Sequence, residues 1–528
     1  MVDNIKNAVV SGKTALGIEL GSTRIKAVLI ASDHSVIASE SSVWESSRIG
    51  GYWSYTLEQV WQGLRDAFKK LNDAVYEKYG VELTNVGGMG VSAMMHGYLA
   101  FDKNDELLTP FRTWQNTSTG EAAEKLSELF NFNIPLRWSV SHLYQAVLNK
   151  EDHVKDISHI TTLAGYVHFM LTGRKAVGIG DASGIFPIDS ETCYYDKKML
   201  DAFDSLPTPA FNKKLAEVLP EVLMAGENAG YLTEEGARLL DPSGKLKAGI
   251  PMCPPEGDAG TGMVATNAVA PGTGNVSAGT SIFSMIVMDR ALSRRYEQLD
   301  MVTTPMGKPV AMVHCINCTS DLNEWASMLG EYASVMGMSN FDVSENFTRL
   351  YKASLNADPA CGGITVCPYK AGEHVTGFND GRPIIVRGKD SVFSVANLMR
   401  AHIYSSISAL AMGMEILDKE NVALNCITGH GGLFRTEGVA QNYLAAALNC
   451  PVSVMSTASE GGAWGMAILA AYMNDNSLPL ETFLAKKTFA SVQSNTVLAD
   501  TALVKDFAEY LERYKKVLAV EKTALEVL

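Results

Sequence analysis

The chain has 528 residues, of which 47% are hydrophobic and 19% charged, and its formal net charge at pH 7 is -14. This length exceeds what one hydrophobic core usually serves and predicts two domains of about 250 residues each. The acidic charge argues against a nucleic-acid partner, because phosphate backbones are bound by basic protein faces.

The sequence carries no mark of membrane insertion or export. No apolar run approaches the roughly 18 residues of a membrane span, and residues 1–13 lack the apolar core of a signal peptide. The eight cysteines lie in apolar surroundings, and the pair Cys315 and Cys318 has no second pair at zinc spacing. We therefore expect a cytoplasmic protein whose cysteines are buried thiols.

The first predicted elements form a β-hairpin. Two apolar strands, over 14–20 and 25–30, are joined by the turn Gly21-Ser22-Thr23. This turn offers backbone N–H groups and two hydroxyls to a phosphate, and Glu19 at the end of the first strand could hold a hydrated Mg²⁺. An ordinary structural hairpin fits the same residues, so the turn alone does not distinguish a phosphate site from a structural turn.

Three helices and one interrupted strand are predicted next. Helical spacing of apolar residues predicts helices over 55–79, 139–148 and 159–171. A buried-strand pattern over 86–100 is interrupted by Met94, Met95, His96 and Gly97. A histidine in such a run is more often a satisfied core residue, but the adjacent glycine lets a ligand approach the backbone. We therefore take His96 as a candidate contact to a polar substrate.

Two polar stretches follow in the first half of the chain. The run Trp114-Gln115-Asn116 offers an aromatic face and amides suited to a polyol, although a lone tryptophan is more often part of a core. In Gly180-Asp181-Ala182-Ser183-Gly184, the acid suits a helix or turn cap as well as a site. We carry Trp114 and Asn116 forward as candidate substrate contacts.

The run 251–281 is the centre of the predicted chemistry. It places Asp258 between glycines, just before the turn 277–281, which again joins two apolar strands. This second hairpin follows the first by close to half the chain, which predicts two related domains, 1–260 and 261–528, facing each other across a cleft. A carboxylate beside free backbone N–H groups suits phosphoryl transfer to a hydroxyl, and we interpret the chain as a sugar kinase.

The second half contains two more glycine-rich stretches. A predicted strand over 423–428 leads into Gly429-His430-Gly431-Gly432, where glycines would let a purine or a phosphate approach the backbone. The glycines of Ser459 to Gly465 suit tight helix packing as well as a ligand. Helices are predicted over 391–417, 438–448, 459–472 and 500–528.

In order, these motifs resemble those of the FGGY carbohydrate kinases, and most closely those of the xylulokinase and ribulokinase branch. The resemblance runs from about residue 16 to residue 472. It rests on the segments 17–22 with Lys26, 95–97, 180–184, 257–258, 277–281, 368–373 and 429–432. It implies an α/β fold with two actin-like (ribonuclease H-like) ATPase domains facing across a central cleft, with ATP and Mg²⁺ in the cleft and the sugar beneath.

The resemblance also implies roles for particular residues. Asp258 would be the general base and, with Glu19, would lie at the metal, while Met95 and His96 would touch the sugar. The phosphates would lie against the two hairpin turns, and the adenosine against a third glycine pair. The residues implied at the nucleotide are Gly21, Ser22, Thr23, Lys26, Gly279, Thr280, Gly431 and Gly432.

Three departures from the family pattern leave the substrate open. The family usually has Asp at the position of Glu19, commonly Trp-Asn-Asp at Trp114 to Asn116, and often Asn at Ala259. We therefore carry three hypotheses: a ketopentose kinase, a kinase of another polyol, ketohexose or deoxysugar, and a regulatory protein that binds ATP or sugar with little catalysis. The expected partner is a small-molecule sugar, and because many relatives form dimers, a homodimer is one expectation.

Overall fold

The computed structural model describes residues 2–208, 210–338, 343–456 and 461–528. Two mixed β-sheets form the framework of these residues. The first consists, in spatial order, of Glu256–Gly257, Gly88–Ala93, Ala15–Leu20, Arg24–Ile30 and Val36–Val43. The second consists of Asp300–Thr303, Pro309–Cys315, Ile282–Val287, Thr273–Ala278, Cys426–His430, Val452–Met455 and Ser494–Val497.

The two sheets share one pattern of strand pairing. Ala15–Leu20 pairs antiparallel with Arg24–Ile30 on one side and parallel with Gly88–Ala93 on the other. Thr273–Ala278 likewise pairs antiparallel with the strand that follows it and parallel with Cys426–His430. The repetition, once in each half of the chain, confirms the fold class of two related α/β domains, while the bounds 1–260 and 261–528 stay a prediction.

Helices and short strand pairs surround the sheets. The helices before the second hairpin are Val2–Val10, Leu57–Tyr79, Gly120–Phe130, Ser139–Leu148, Leu163–Thr172, Ile179–Ala182, Lys197–Asp204, Glu234–Leu240 and Asp258–Ala265. Those after it are Ser320–Val335, Val343–Ser354, Val395–Lys419, Ala440–Leu448, Gly461–Asn474, Leu480–Phe483 and Thr501–Val527. The short pairs are Ser47–Ile49 with Tyr52–Ser54, Leu99–Phe101 with His159–Thr161, Ala176–Gly178 with Glu221–Leu223, Ile188–Asp189 with Tyr194–Tyr195, and Ile364–Cys367 with Ile384–Arg387. None of the helices in the described ranges combines the length and apolar character needed to cross a membrane.

The helix Leu57–Tyr79 shows how local sequence sets an element's bounds. Thr56 caps its start: the hydroxyl accepts the Gln59 N–H, and the Gln59 side chain accepts the Thr56 N–H in return. Gly80 ends it in the left-handed region, with φ of 65°. The apolar positions that predicted the helix are buried against the first sheet's core. This element is confirmed.

The helix predicted over 159–171 is wrong at its start. His159–Thr161 is a strand that pairs with Leu99–Phe101, and the helix begins only at Leu163. The Thr162 hydroxyl accepts the Gly165 N–H, so a capping side chain sets the beginning. The apolar run crosses this boundary, which is why periodicity alone placed the start too early.

The helix Gly461–Asn474 crosses from the second half of the chain onto the first sheet. A Cβ at Gly17 would lie well inside 3.0 Å of the backbone of this helix, so the strand Ala15–Leu20 and the helix touch directly. The Trp464 indole donates to the His34 carbonyl at 3.0 Å, and the Asn474 amide donates to the Gly87 carbonyl at 2.9 Å. The first sheet therefore completes its core with residues far along the chain. Ser459 and Glu460 lie outside the described residues.

Candidate active site

A cleft of about 440 Å³ lies where the two sheets face each other. Its walls come from both halves of the chain, including the two hairpins, the segment after strand Gly88–Ala93 and the start of helix Gly461–Asn474. A larger groove of about 590 Å³ lies between helix Leu57–Tyr79 and residues 240–245. That groove has none of the glycine turns and is lined by surface charges, so the cleft is the candidate site.

Asp258 is the first residue of helix Asp258–Ala265 and lies in the cleft. Its Oδ1 accepts the Met95 N–H at 3.1 Å. Burial raises the pKa of this carboxyl to about 6, although hydrogen bonds from backbone N–H groups oppose the shift. A carboxylate with a pKa this close to neutrality is suited to accept a proton from a substrate hydroxyl.

Glu19 lines the same cleft from the end of strand Ala15–Leu20. Burial and the charge of Asp258 raise its pKa to about 8, and Lys26, its partner across the hairpin, opposes the shift. Two carboxylates sharing one cavity favour a cation between them. Mg²⁺ prefers oxygen ligands and commonly takes one or two protein carboxylates, so this donor pair fits it.

The first hairpin turn is fixed by hydrogen bonds from outside it. The Gly21 carbonyl accepts the Trp44 indole N–H at 2.7 Å, and the Ser22 carbonyl accepts the Tyr55 hydroxyl at 2.5 Å. Ser22 lines the cleft, while Thr23 continues the turn and its carbonyl accepts the Trp44 N–H. The turn therefore presents a preformed edge to the cavity.

The second hairpin turn is held in a similar way. The Gly279 carbonyl accepts the Thr319 hydroxyl at 2.8 Å, and a Cβ at Gly279 would meet nothing within 4 Å. Thr280 is exposed at the tip, and its neighbours Ser277 and Ser281 line the cleft. Gly279 therefore faces open space beside the residues that line the cleft.

The third glycine pair packs on the second hairpin. Gly431 adopts φ of 102°, and a Cβ there would overlap the Ala278 carbonyl. Glycine is thus required at 431 both for its backbone and for close approach. Gly432 faces open space, and the adjacent His430 lines the cleft.

Three of the four candidate substrate contacts line the cleft. Met95 and His96 do so; the His96 backbone is left-handed, with φ of 72°, and burial holds the pKa of its imidazole well below the usual range. Trp114 is 36% exposed, and its indole donates to the Ser22 hydroxyl at 3.0 Å. Asn116 is not among the lining residues: its buried amide bonds both the N–H and the carbonyl of Trp53.

Several lining residues were not identified from the sequence. Phe283, Met312 and His314 reach the cleft from the second sheet, and Arg137 from the first half. Burial lowers the pKa of His314 to about 3, so the imidazole is neutral. His314 interrupts the apolar strand Pro309–Cys315, the same signal that drew attention to His96, and that signal could have found it.

A second acid pair supports the site from behind. The buried Glu256 carboxylate accepts the N–H groups of Gly180 and Asp181, at 3.3 Å and 3.0 Å. Burial and the nearby charge of Asp181 raise the pKa of Glu256 to about 8. Burial raises the pKa of Asp181 to about 7. Glu256 therefore ties the 180–184 turn to the segment that carries Asp258, while fully buried Asp181 accepts the Thr162 hydroxyl at the start of helix Leu163–Thr172.

Two related α/β domains enclosing a cleft with glycine turns and paired carboxylates define a phosphotransferase of the actin-like ATPase class. The chain belongs to the FGGY family of carbohydrate kinases. The N-terminal domain of that family matches residues 14–264, and its C-terminal domain matches residues 274–474. The protein is therefore an ATP-dependent sugar kinase.

Similar proteins of known name cover nearly the whole chain. A xylulose kinase from Haemophilus influenzae is 24% identical over 527 aligned positions, covering 94% of this chain and 98% of that protein. The structure of a xylulose kinase from Rhodospirillum rubrum matches with a TM-score of 0.77 at 17% identity, covering 96% and 98% of the two chains. A gluconate kinase from Lactobacillus acidophilus also gives a TM-score of 0.77, at 16% identity and the same coverage. The structural matches establish the fold, and they do not distinguish one sugar from another.

Proposed function

We propose that this kinase transfers the γ-phosphate of ATP to a terminal hydroxyl of a ketopentose of the xylulose or ribulose type, with Asp258 as the general base. The observation that carries the proposal is the position of Asp258. Its carboxylate lies in one cleft with Ser22 of the first hairpin, with Ser277 and Ser281 of the second, and with Met95 and His96. The full-length similarity to a xylulose kinase supports the choice of sugar.

The proton transfer follows from the local geometry. A sugar hydroxyl is a weak nucleophile near neutral pH, so a carboxylate within hydrogen-bond reach takes its proton as the bond to phosphorus forms. The Met95 N–H fixes one oxygen of Asp258, which orients the carboxylate before the substrate arrives. A fixed orientation removes part of the entropic cost of reaching the reactive geometry.

The phosphates are assigned to the glycine turns. The residues that would hold them are Gly21, Ser22, Thr23 and Lys26 from the first domain and Gly279 and Thr280 from the second. Gly431 and Gly432 would lie against the adenosine. Glu19 and Asp258 would hold Mg²⁺, which would supply positive charge to offset that of the phosphates.

The sugar is assigned to the part of the cleft nearest Met95 and His96. In neutral His96 the Nδ1–H donates to the Gly184 carbonyl, 3.5 Å away, which leaves Nε2 to accept a hydrogen bond from a sugar hydroxyl. The Trp114 indole offers a flat apolar face. Neutral His314 and Phe283 would close over the sugar from the second domain. The Asn116 amide is already bonded to the Trp53 backbone, so it would affect sugar binding indirectly, by fixing that backbone.

A substrate panel tests the proposal directly. ADP release would be measured with ATP and Mg²⁺ against D- and L-xylulose, D- and L-ribulose, fuculose, rhamnulose, glycerol, erythritol and gluconate. We expect one ketopentose to be strongly preferred. Preference for a different sugar would support the proposed reaction but contradict the proposed substrate. No turnover with any sugar, with ATP still bound, would favour the regulatory alternative.

The pH profile of kcat/KM gives a second prediction. With a pKa of about 6 in the free enzyme, Asp258 is protonated at lower pH and can no longer accept a proton. We expect kcat/KM to fall about tenfold per pH unit below this pH. A profile that stays flat to pH 5, in an enzyme shown by circular dichroism to remain folded, would contradict the assignment.

A kinase of another polyol or ketohexose is the second candidate function. It is favoured by the position of Asn116, since the amide that the sequence offered to the sugar is bonded to backbone instead. Arg137, at the cleft wall, is bonded by Asp300 and carries no unpaired charge toward the substrate. The same panel separates this candidate from the first.

A further inference from the structure

The Glu19 carboxylate occupies the space beside Gly462 where the side chain of any other residue would lie. A Cβ built on Gly462 would lie well inside 3.0 Å of Glu19 Oε2, and 2.6 Å from the Thr261 hydroxyl oxygen. Atoms at such separations overlap, so the Glu19 carboxylate and a side chain at 462 exclude each other. Both residues line the cleft that contains Asp258.

The glycine at 462 is not required by its backbone. Its neighbour Gly461 has φ of 69°, a conformation that favours glycine, whereas Gly462 is not among the residues with positive φ. Gly462 lies in the first turn of helix Gly461–Asn474, and alanine has a higher intrinsic helix propensity than glycine. The reason for glycine at 462 is therefore the space it leaves.

We propose that Gly462 is a positioning residue of the phosphoryl-transfer site, matched to the longer acid at position 19. The missing side chain leaves room for the extra methylene of glutamate, so the carboxylate can face the cleft. A side chain at 462 would displace a glutamate carboxylate but leave room for the shorter aspartate. This inference rests on the proposed role of Glu19 as a metal ligand.

Tight packing of the helix is the competing explanation for glycines in this segment, and it applies to a different residue. A Cβ at Gly465 would overlap the Thr261 carbonyl, which is backbone and cannot move aside. Gly465 is therefore explained by contact between two helices. Gly462 instead faces a carboxylate, and the two glycines provide a matched pair for experiment.

A double-mutant cycle tests the inference. The four proteins are the wild type, Gly462→Ala, Glu19→Asp and the double variant, with Gly465→Ala made alone and with Glu19→Asp as the control. The principal readout is Mn²⁺ binding to the protein with ADP, measured by electron paramagnetic resonance, which needs no turnover and no sugar. Thermal unfolding is recorded for every variant.

We expect Gly462→Ala to weaken Mn²⁺ binding by about ten- to a hundredfold in the wild-type background, as when a group that orients a metal ligand is lost. In the Glu19→Asp background, the same substitution should weaken Mn²⁺ binding at least about fivefold less, because only its 2.6 Å contact with the Thr261 hydroxyl, common to both backgrounds, remains. Gly465→Ala should lower the unfolding temperature equally in both backgrounds. An equal loss of Mn²⁺ binding from Gly462→Ala in both backgrounds, or none in either, would overturn the inference.

Folding failure would also be informative. If Gly462→Ala does not fold but the double variant does, the pair is matched as proposed. If neither folds, glycine is needed at 462 whatever acid stands at 19, and the inference is wrong. Since Mn²⁺ binding is measured without sugar, an incorrect sugar assignment would leave this result unaffected.

Discussion

Asp258→Asn is expected to lower kcat by about 10²–10⁴-fold, the range that a positioned general base contributes, while leaving the affinity for metal-free nucleotide nearly unchanged. The asparagine oxygen can still accept the Met95 N–H, so the local fold is retained and only the proton acceptor is lost. Turnover would be followed by ADP release with the preferred sugar. Affinity for a metal-free, non-hydrolysable ATP analogue would be measured by calorimetry.

A matched control neutralises another carboxylate that bonds backbone N–H groups. Asp241 accepts the N–H groups of Ser243, Lys245 and Leu246, and it lies at the surface groove outside the cleft. Asp241→Asn should retain wild-type turnover. Full activity in Asp258→Asn would remove this residue from the chemistry and reopen the choice of base.

Gly17→Ala is expected to destabilise the fold more than a surface change of the same size. The added Cβ would overlap the Ala463 carbonyl and the Ala467 N–H, both backbone atoms of the helix Gly461–Asn474. Overpacking of this kind typically costs about 1–3 kcal/mol, and contact with backbone places the change at the upper end. The midpoint of guanidinium unfolding, followed by circular dichroism, would report the loss.

Gly120→Ala provides the comparison for this substitution. A Cβ at Gly120 would meet nothing within 4 Å, and the residue begins the helix Gly120–Phe130 without a positive φ. A glycine-to-alanine change at such a position is neutral or stabilises by about 0.4–1 kcal/mol. Equal unfolding midpoints for the Gly17 and Gly120 variants would contradict the prediction. They would show that strand Ala15–Leu20 and helix Gly461–Asn474 can move apart without loss of stability.

The elements predicted well are those with local signals. The first hairpin carries its turn in three consecutive residues, and the helix Leu57–Tyr79 carries its cap and its glycine stop at its ends. Recurrence of the hairpin near mid-chain was sufficient to predict two related domains. Asp258 stood out because glycines flank it, and it does lie in the cleft.

What escaped prediction depends on contacts between distant parts of the chain. Phe283 belongs to a strand whose apolar pattern does not indicate which of its residues face the other domain. Asn116 has the chemistry of a sugar contact, but its amide satisfies the Trp53 backbone, a partner 63 residues away. Spacing within one segment cannot supply such partners, because tertiary packing decides which polar groups remain for a ligand.

The placement of helix Gly461–Asn474 on the first sheet has a consequence for biosynthesis. During translation, the strands Ala15–Leu20 and Gly88–Ala93 leave the ribosome several hundred residues before the helix that covers them. Until that helix arrives, the glycine-lined face of the sheet lacks its native cover and is open to other apolar surfaces. The core of the first sheet is therefore completed only after residues 461–474 have been translated, although the strands themselves are among the first elements made.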